Sequence, residues 1–546
     1  MPDAQSETPT ESSPPVPPLE ERLDRRLFLI TLIVGYLFSC TLVLADPDIW
    51  GHTLYGIRAL ELGVLCEHTD PFSYTAPNAR WVNHEWLTEM QFGWLWLHFG
   101  NPGLWTWRNA LVLVVFLCAA AEMRHQKASL GASIVLLAYG AECLSQFVIF
   151  VRPQVSTFAL FAFTLLALKR HSDGRGRGAI WALPPLQAIW VNLHGGFLAG
   201  LGVTGLYAGM EVLSLCRSQR RWTSRQFQIT IVFGLSILAT LINPYGPNLY
   251  AMLWEHLATK QPVVEWQPLW GAQQAPTYYV PFILLALALP VSRRWTWTDG
   301  AVLAMIGFQA LSHIRHVALL SVACMILLPG PLTDSLPRLF PHLTSKLRGP
   351  GGRKLKLLTT GAALGALLVL QLRVTFDLWM RGLPPWVIAV EARSSVPGMP
   401  VRAVKFLKEA GVSGNLLTDY GWAQFMFWHA PEFKLAFDGR YRTVYSSEIE
   451  AEFMSFQRVS KEQPEQTPML DKYPTEIVLL PIQSSSVAYL LQRADWAELY
   501  QDDQVYIFVR RIPRFDLLLE RKRKGELPIV DTPVWQPFPA YTGLPD

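Results

Sequence analysis

Apolar residues along this chain come in long runs separated by short polar links. The first run, 27–45, follows Arg22, Arg25 and Arg26. Ten more lie near 105–122, 129–150, 154–168, 179–193, 197–216, 227–242, 278–292, 299–312, 317–329 and 357–372. A bilayer-spanning helix needs about 20 mostly apolar residues. The pattern therefore predicts a mainly α polytopic membrane protein of about eleven transmembrane helices over 23–372, with 179–193 and 299–312 short for a span. Two segments break it. In 46–104, Trp50, Leu54, Ile57 and Leu60 recur at helical spacing and predict an amphipathic helix over 49–62. After 372 the period changes. An amphipathic stretch at 401–410 is followed by short apolar runs at 415–419, 434–437, 477–480 and 505–509. That alternation reads as a small C-terminal α/β domain over 399–515, reached by a linker at 373–398. A tail at 516–546 is first basic, then Pro-rich and extended. Residues 1–22, rich in Pro, Ser, Thr and acid, read as disordered.

Charge orients the runs. Threaded alternately, one set of loops holds 21 Lys and Arg, including Arg124, Lys169, Arg225, Arg293 and Arg338; the other holds six, Arg58, Arg80, Arg108, Arg152, Lys260 and Arg315. Cytoplasmic loops carry the excess of Lys and Arg. The N-terminus is thus expected in the cytoplasm, with 46–104 and the C-terminal domain outside it. Composition agrees: 51% of residues are hydrophobic and only 16% charged, against about 25% in soluble proteins. The net charge of +4 is small and dispersed, which argues against a nucleic-acid partner. Six cysteines show no CxxC and no zinc spacing.

On this topology the awkwardly placed polar residues share the outer side. They are Asp46, Asp48 and His52 after the first run, then Asp70, His84 and Glu85. Arg152, Asn192, His194 and Asn243 sit at span ends, and His313, Arg315 and His316 lie between two late spans. Ionisable groups at the rim of a bundle are costly and mark sites. Each also has a bland reading. Asp48 suits an N-cap, Asp70-Pro71 a turn, His194-Gly-Gly an interhelical turn. Arg152 either snorkels or grips a lipid phosphate. His84-Glu85 resembles the start of a zinc-protease motif, but Thr88 stands where the second His is required. In the C-terminal domain, Asp419 and the pair Asp438 and Arg440 lie beside glycines at strand ends, where α/β folds bind ligands; the alternative is a turn with a local ion pair.

Asp46-Pro-Asp48-Ile-Trp-Gly-His52, Asp70-Pro-Phe-Ser-Tyr74 and Trp81-Val-Asn-His84-Glu-Trp-Leu87 carry a resemblance. So do Arg152-Pro, Trp190-Val-Asn-Leu-His194-Gly-Gly, Asn243-Pro-Tyr-Gly246, His313-Ile-Arg-His316 and Phe437-Asp-Gly-Arg440. Together they resemble a bacterial branch related to the C superfamily of integral-membrane glycosyltransferases. That superfamily includes protein O-mannosyltransferases, aminoarabinose transferases and oligosaccharyltransferase catalytic subunits. The resemblance implies a long first outer loop that begins with an acid acting as base or metal ligand, and a polyprenyl-phosphate or polyprenyl-diphosphate sugar as donor. Asp48 matches that acid. The usual second acid is replaced by Ile49, with Asp46 two residues before Asp48, and this departure bears on any divalent metal.

The implied function is sugar transfer from a lipid-phosphate carrier to a glycan, lipid or protein acceptor outside the bacterial cytoplasmic (inner) membrane. Asp48, with His84 or Glu85, would serve acid–base work. Arg152, His313, Arg315 and His316 would meet the phosphate charge. The 49–62 helix would lie along the membrane surface. The competing reading is a non-catalytic membrane protein that binds glycan or lipid, or scaffolds envelope assembly.

Overall fold

The computed structural model describes residues 19–176, 178–218, 222–258, 264–271, 276–288, 290–348, 351–391, 398–459 and 469–540. Residues 1–18 of the expected tail, Arg220, Lys260, residues 392–397 of the expected linker and the last six residues lie outside these. Each apolar run falls mostly on a helix. The first nine helices are α1 Leu19–Cys40, α2 Ile49–Leu62, α3 Trp86–His125, α4 Leu130–Val148, α5 Gln154–Ser172, α6 Leu183–Leu193, α7 Phe197–Ser218, α8 Ser224–Ala239 and α9 Asn248–Ala258. They are followed by α10 Val280–Ala288, α11 Trp297–Ser312, α12 Val317–Leu327, α13 Pro329–Leu339, α14 Pro341–Arg348 and α15 Gly352–Met380. The protein is mainly helical and polytopic.

By length and composition, four described helices qualify as spans: α3, α4, α7 and α15. The pair α12 and α13, bent by 77°, qualifies together. That is fewer than the eleven expected. The helical stretch Ala179–Leu193 rises roughly 22 Å at 1.5 Å per residue, less than the ~30 Å hydrocarbon core. It leans on α5, α7 and α8.

Local chemistry sets where the elements turn. α1 already runs at Leu19, inside the stretch expected to be disordered, and Asp24 pairs with Lys356 of α15 at 3.1 Å. It stops at Cys40, before the apolar run ends. Arg108, fully buried on α3, donates to the Ser39 and Leu42 carbonyls at 3.0 and 3.2 Å. It thereby satisfies carbonyls that a helix end leaves unpaired. Within α3 the helix breaks at Gly100, whose φ of 57° suits glycine alone. The part before this break belongs to the expected outer loop.

The helix expected over 49–62 forms as α2, but it is not an open surface helix. It is buried between α3 and the C-terminal domain, with Ile49 and Trp50 fully buried. Only its far end, at Leu62, Val64 and Leu65, is exposed. α2 crosses α3 backbone to backbone. A methyl group on Gly93 would stand 2.5 Å from the Gly56 carbonyl carbon, and one on Gly56 would strike the Glu89 carbonyl.

The C-terminal domain is α/β, as expected. Its strands are β1 Ala389–Glu391, β2 Gly414–Thr418, β3 Phe433–Leu435, β4 Ile477–Pro481, β5 Trp496–Gln501, β6 Val505–Arg510 and β7 Trp535–Pro537. Five form one sheet in the order β3-β2-β4-β6-β5. β2 runs parallel to β3 and β4, while β6 is antiparallel to its neighbours. α16, Val401–Glu409, precedes β2, and α17, Tyr420–His429, connects β2 to β3. The expected boundaries shift at both ends. α15 continues to Met380, into the expected linker. The Pro-rich tail is extended but not loose: β7 pairs antiparallel with β1. Phe538 is 1% exposed and packs against Trp50, Trp96 and Trp428. Aromatic burial and two donated hydrogen bonds, Trp50 Nε1 to the Pro539 carbonyl (2.8 Å) and Asn101 Nδ2 to the Phe538 carbonyl (2.6 Å), hold the tail on the domain.

Candidate functional site

At one end of the bundle, the loops before α2, α3 and α5, the α6–α7 turn and the link from α11 to α12 meet the C-terminal domain around a cavity of about 590 Å³. Asp48, His52, His84, Glu85, Arg152, His194, His313, Arg315, His316 and Arg440 all line it.

Asp48 precedes α2 in a helical conformation, φ −86° and ψ −13°, and its side chain does not cap the helix. Its Oδ1 instead accepts a hydrogen bond from Gln424 Nε2 of α17 at 3.0 Å. Gly439 lies opposite: a methyl group there would stand 2.8 Å from the same oxygen. Burial pushes the Asp48 carboxyl up to about 7, helped by the charge of Asp46 and opposed by Arg152 and His52.

Asp46 is fully buried and differently occupied. Its Oδ1 accepts the Asp48 N–H at 2.9 Å, and its Oδ2 accepts from Arg152 Nε at 2.6 Å. Arg152 also donates from Nη1 to Glu265 Oε1 at 2.5 Å. Burial opposes the Arg152 charge, but Asp46 and Glu265 outweigh it and hold the guanidinium above its ordinary range. Arg152 is thus held between two carboxylates, whereas Arg315 lies over the Trp266 ring at 4.7 Å and makes no ion pair with a described carboxylate. Burial lowers its pKa, and Glu265 and Glu85 act on it only from a distance. His313 packs edge-on against Trp266 and His316, at 5.4 and 5.6 Å. Burial, with the Arg315 charge added, pushes His316 down to about 4, so it is neutral at pH 7.

Facing these is an acid–imidazole cluster. His52 Nδ1 lies 3.0 Å from Glu89 Oε1. Burial lowers the His52 pKa, but that hydrogen bond and the Glu85 charge outweigh it and raise it to about 9. Glu85 lies 3.6 to 3.9 Å from the nearest nitrogens of His52, His84 and His194. Burial raises the Glu85 carboxyl, and the charges of His84 and His52 outweigh it and hold it low. His194 Nδ1 accepts the Gly196 N–H at 3.0 Å, and burial pushes the ring down to about 3.

The remaining expected residues make hydrogen bonds within the fold. Asn192 accepts from Trp86 Nε1 at 2.8 Å and donates to the Ala188 and Ile242 carbonyls. Asn243 closes its own turn through the Thr240 carbonyl and the Tyr245 N–H. Asp419 caps α17, accepting the Gly421 N–H at 2.8 Å. None of the three lines the cavity. Asp438 is consumed by Arg440, at 2.8 Å, and by the Tyr445 hydroxyl, while Arg440 reaches Asp70 Oδ1 at 2.7 Å. Four rings surround the guanidinium, Trp81 nearest at 4.7 Å. This triad fastens the domain to the segment 46–104. Glu89, Glu265, Gln424 and Tyr441 also line the cavity and were not singled out from sequence. Only Glu89 carried a signal: it follows Glu85 by four residues, on one helix face.

The metal raised by the resemblance does not fit at Asp48. Ile49, at the second acid's place, is buried among apolar groups, and Arg152 occupies Asp46. Among the described residues, three metal-ligating atoms converge within 4.8 Å only at Glu122, His125 and Asp173. That cluster is already flanked by Arg170 and Lys169.

No protein-family model matches the chain, and no curated protein matches its sequence. Solved structures do match. ArnT from Cupriavidus metallidurans in the apo state aligns with a TM-score of 0.51 at 12% identity, covering 90% of this chain and 98% of that one. The apo oligosaccharyltransferase of Archaeoglobus fulgidus aligns with a TM-score of 0.51 at 11% identity, covering 85% and 70%. The chain shares the fold of these two proteins. Asp48 stands at the start of the segment 46–104, on the cavity.

Proposed function

We propose that the chain transfers a sugar from a polyprenyl-phosphate carrier to an acceptor hydroxyl at the outer face of the bacterial cytoplasmic membrane. The observation that carries this reading is one cavity holding a desolvated carboxylate, Asp48, and an arginine that makes no ion pair with a described carboxylate, Arg315. The acceptor oxygen attacks the anomeric carbon as its proton passes to Asp48. Gln424 occupies Oδ1, which leaves Oδ2 as the base. The bond from the anomeric carbon to the phosphate oxygen breaks, and its electron pair leaves with the lipid phosphate. Arg315 meets that charge; Arg152, neutralised by Asp46 and Glu265, positions the carboxylates instead. Glu85, His84 and His194 offer polar partners to sugar hydroxyls. Phe158, Leu198, Leu253, Phe308 and Leu319 form an apolar wall suited to a prenyl chain. This reading calls for the cavity, the segment 46–104 and the C-terminal domain to lie outside the cytoplasm, the side expected from the Lys/Arg asymmetry.

Mass spectrometry of lipid-linked sugars and envelope glycans, in cells with and without the gene, tests the function. Loss should leave a polyprenyl-phosphate sugar accumulated and one envelope glycan unmodified. Two unchanged profiles would overturn it.

A further inference from the structure

The C-terminal domain closes one wall of the cavity with Gln424, Gly439, Arg440, Tyr441 and Thr443. Tyr441 has no part in the chemistry above, yet two independent features single it out. Its backbone has a φ of 43°, a conformation that a bulky residue adopts only when its surroundings impose it. The neighbouring Asp438–Arg440–Asp70 triad supplies that constraint, and the Tyr441 N–H donates to the Asp438 carbonyl at 3.3 Å. The second feature is the hydroxyl. The residue is 8% exposed, and its phenol oxygen makes no hydrogen bond of normal length and angle with a described residue; the Tyr420 phenol, whose ring packs beside it at 5.7 Å, interacts with it only weakly. A buried hydroxyl left unpaired is destabilising and calls for an explanation.

Strain and an unmet hydroxyl coincide on a residue of the same wall as Gly439, which touches Asp48. We propose that Tyr441 contacts the substrate, its phenol hydrogen-bonding a hydroxyl of the donor sugar or of the acceptor held beside Asp48. This rests on the transferase reading. It deepens that reading by making the C-terminal domain part of the binding site. A phenol both donates and accepts one hydrogen bond, which matches a polyhydroxylated ligand. In the absence of substrate the hydroxyl is left to its weak contact with the Tyr420 phenol, and substrate supplies a full partner.

The test is Tyr441→Phe in the full-length protein, assayed in its membrane. The lipid extract of gene-deleted cells serves as donor and their envelope fraction as acceptor. The kcat/KM should fall about 10-fold, the loss of one hydrogen bond. A rise in apparent KM on titrating the lipid extract assigns the contact to the donor sugar; a rise on titrating the envelope fraction assigns it to the acceptor. The thermal midpoint should stay level or rise, because the variant discards an unsatisfied group. An active wild type with an equally active Tyr441→Phe overturns the proposal. So does a lower thermal midpoint in Tyr441→Phe, or an equal loss of activity in Tyr420→Phe, since both would make the hydroxyl structural. A wild type without transfer is a different result, which removes the transferase reading and this contact with it.

Discussion

Asp48 and the two arginines are distinguished by their partners, and substitution separates their roles. Asp48→Asn keeps an oxygen for Gln424 but loses basicity. Transfer should fall about 10²- to 10⁴-fold while the protein still folds. Stability should move the other way. The Asp48 carboxyl is raised to about 7 in the fold, against about 4 in an unfolded chain. The folded state therefore holds its proton more tightly, and ionisation destabilises it as pH rises from about 4 to about 7. The thermal advantage of Asp48→Asn should grow across that window and level off above it. Wild-type transfer should fall about tenfold per unit below pH 7, readable in a pH–rate profile. The arginines should split. Arg315→Met removes a desolvated charge that pairs with no described carboxylate, so it should fold at least as well while donor use collapses about 10²-fold. Arg152→Met leaves Asp46 buried and unpaired, which costs about 3–5 kcal/mol and should show first as lost thermal stability. If the two variants behave alike, the distinction between paired and unpaired guanidinium is wrong.

At the scale of elements, the crossing of α2 and α3 positions the cluster. His52 on α2 reaches Glu89 on α3 only because Gly56 and Gly93 let the backbones touch. Gly93→Ala forces them apart, and overpacking of this kind costs about 1–3 kcal/mol. Its expected signature is a lower thermal midpoint together with reduced transfer. Unchanged values for both would show that the crossing tolerates a side chain. The apolar period at Trp50, Leu54, Ile57 and Leu60 identified α2, but an amphipathic face does not say what covers it. Lipid and protein look alike to the pattern, and here the cover is α3 and α17. The strands β2, β3, β4 and β6 were legible as short apolar runs. β5 was not, because its sequence mixes Trp496, Glu498 and Tyr500 with little contrast. β7 was hidden by Pro537 and its neighbours, since proline discourages a strand reading except at an edge.

Over the whole molecule, the C-terminal domain is held by contacts far apart in sequence, among them the Asp70–Arg440–Asp438 triad and the tail at Phe538. Phe538→Ala should cost about 3–5 kcal/mol, typical for a buried phenylalanine. The tail should then become sensitive to limited proteolysis. Transfer should fall as Gln424 and Tyr441 leave the cavity, with the helical bundle intact by circular dichroism. Orientation is tested by reporter fusions at positions 75, 220 and 450: the first and last should report outside, the middle one inside. A cytoplasmic signal at 450 would put the candidate site on the wrong side for its donor.

The sequence by itself determined the helices of the bundle, the C-terminal α/β domain and many of the residues that crowd one cavity; the orientation stays an expectation from charge asymmetry. Hydrophobic runs, charge asymmetry and changes of period are local properties, so they survive without coordinates. The division of labour among those residues came only from tertiary structure. Asp46 and Asp48 are two residues apart and equally acidic in the chain. One is occupied by Arg152, more than a hundred positions away, while the other faces Gln424 and the cavity. Asp438 and Arg440 read as ligand candidates, and the fold turns them into a fastener by bringing Asp70 to them. Glu265 and Tyr441 gave no local sign at all. A side chain's ionisation, pairing and access depend on what long-range folding packs against it, and no window of sequence contains those partners.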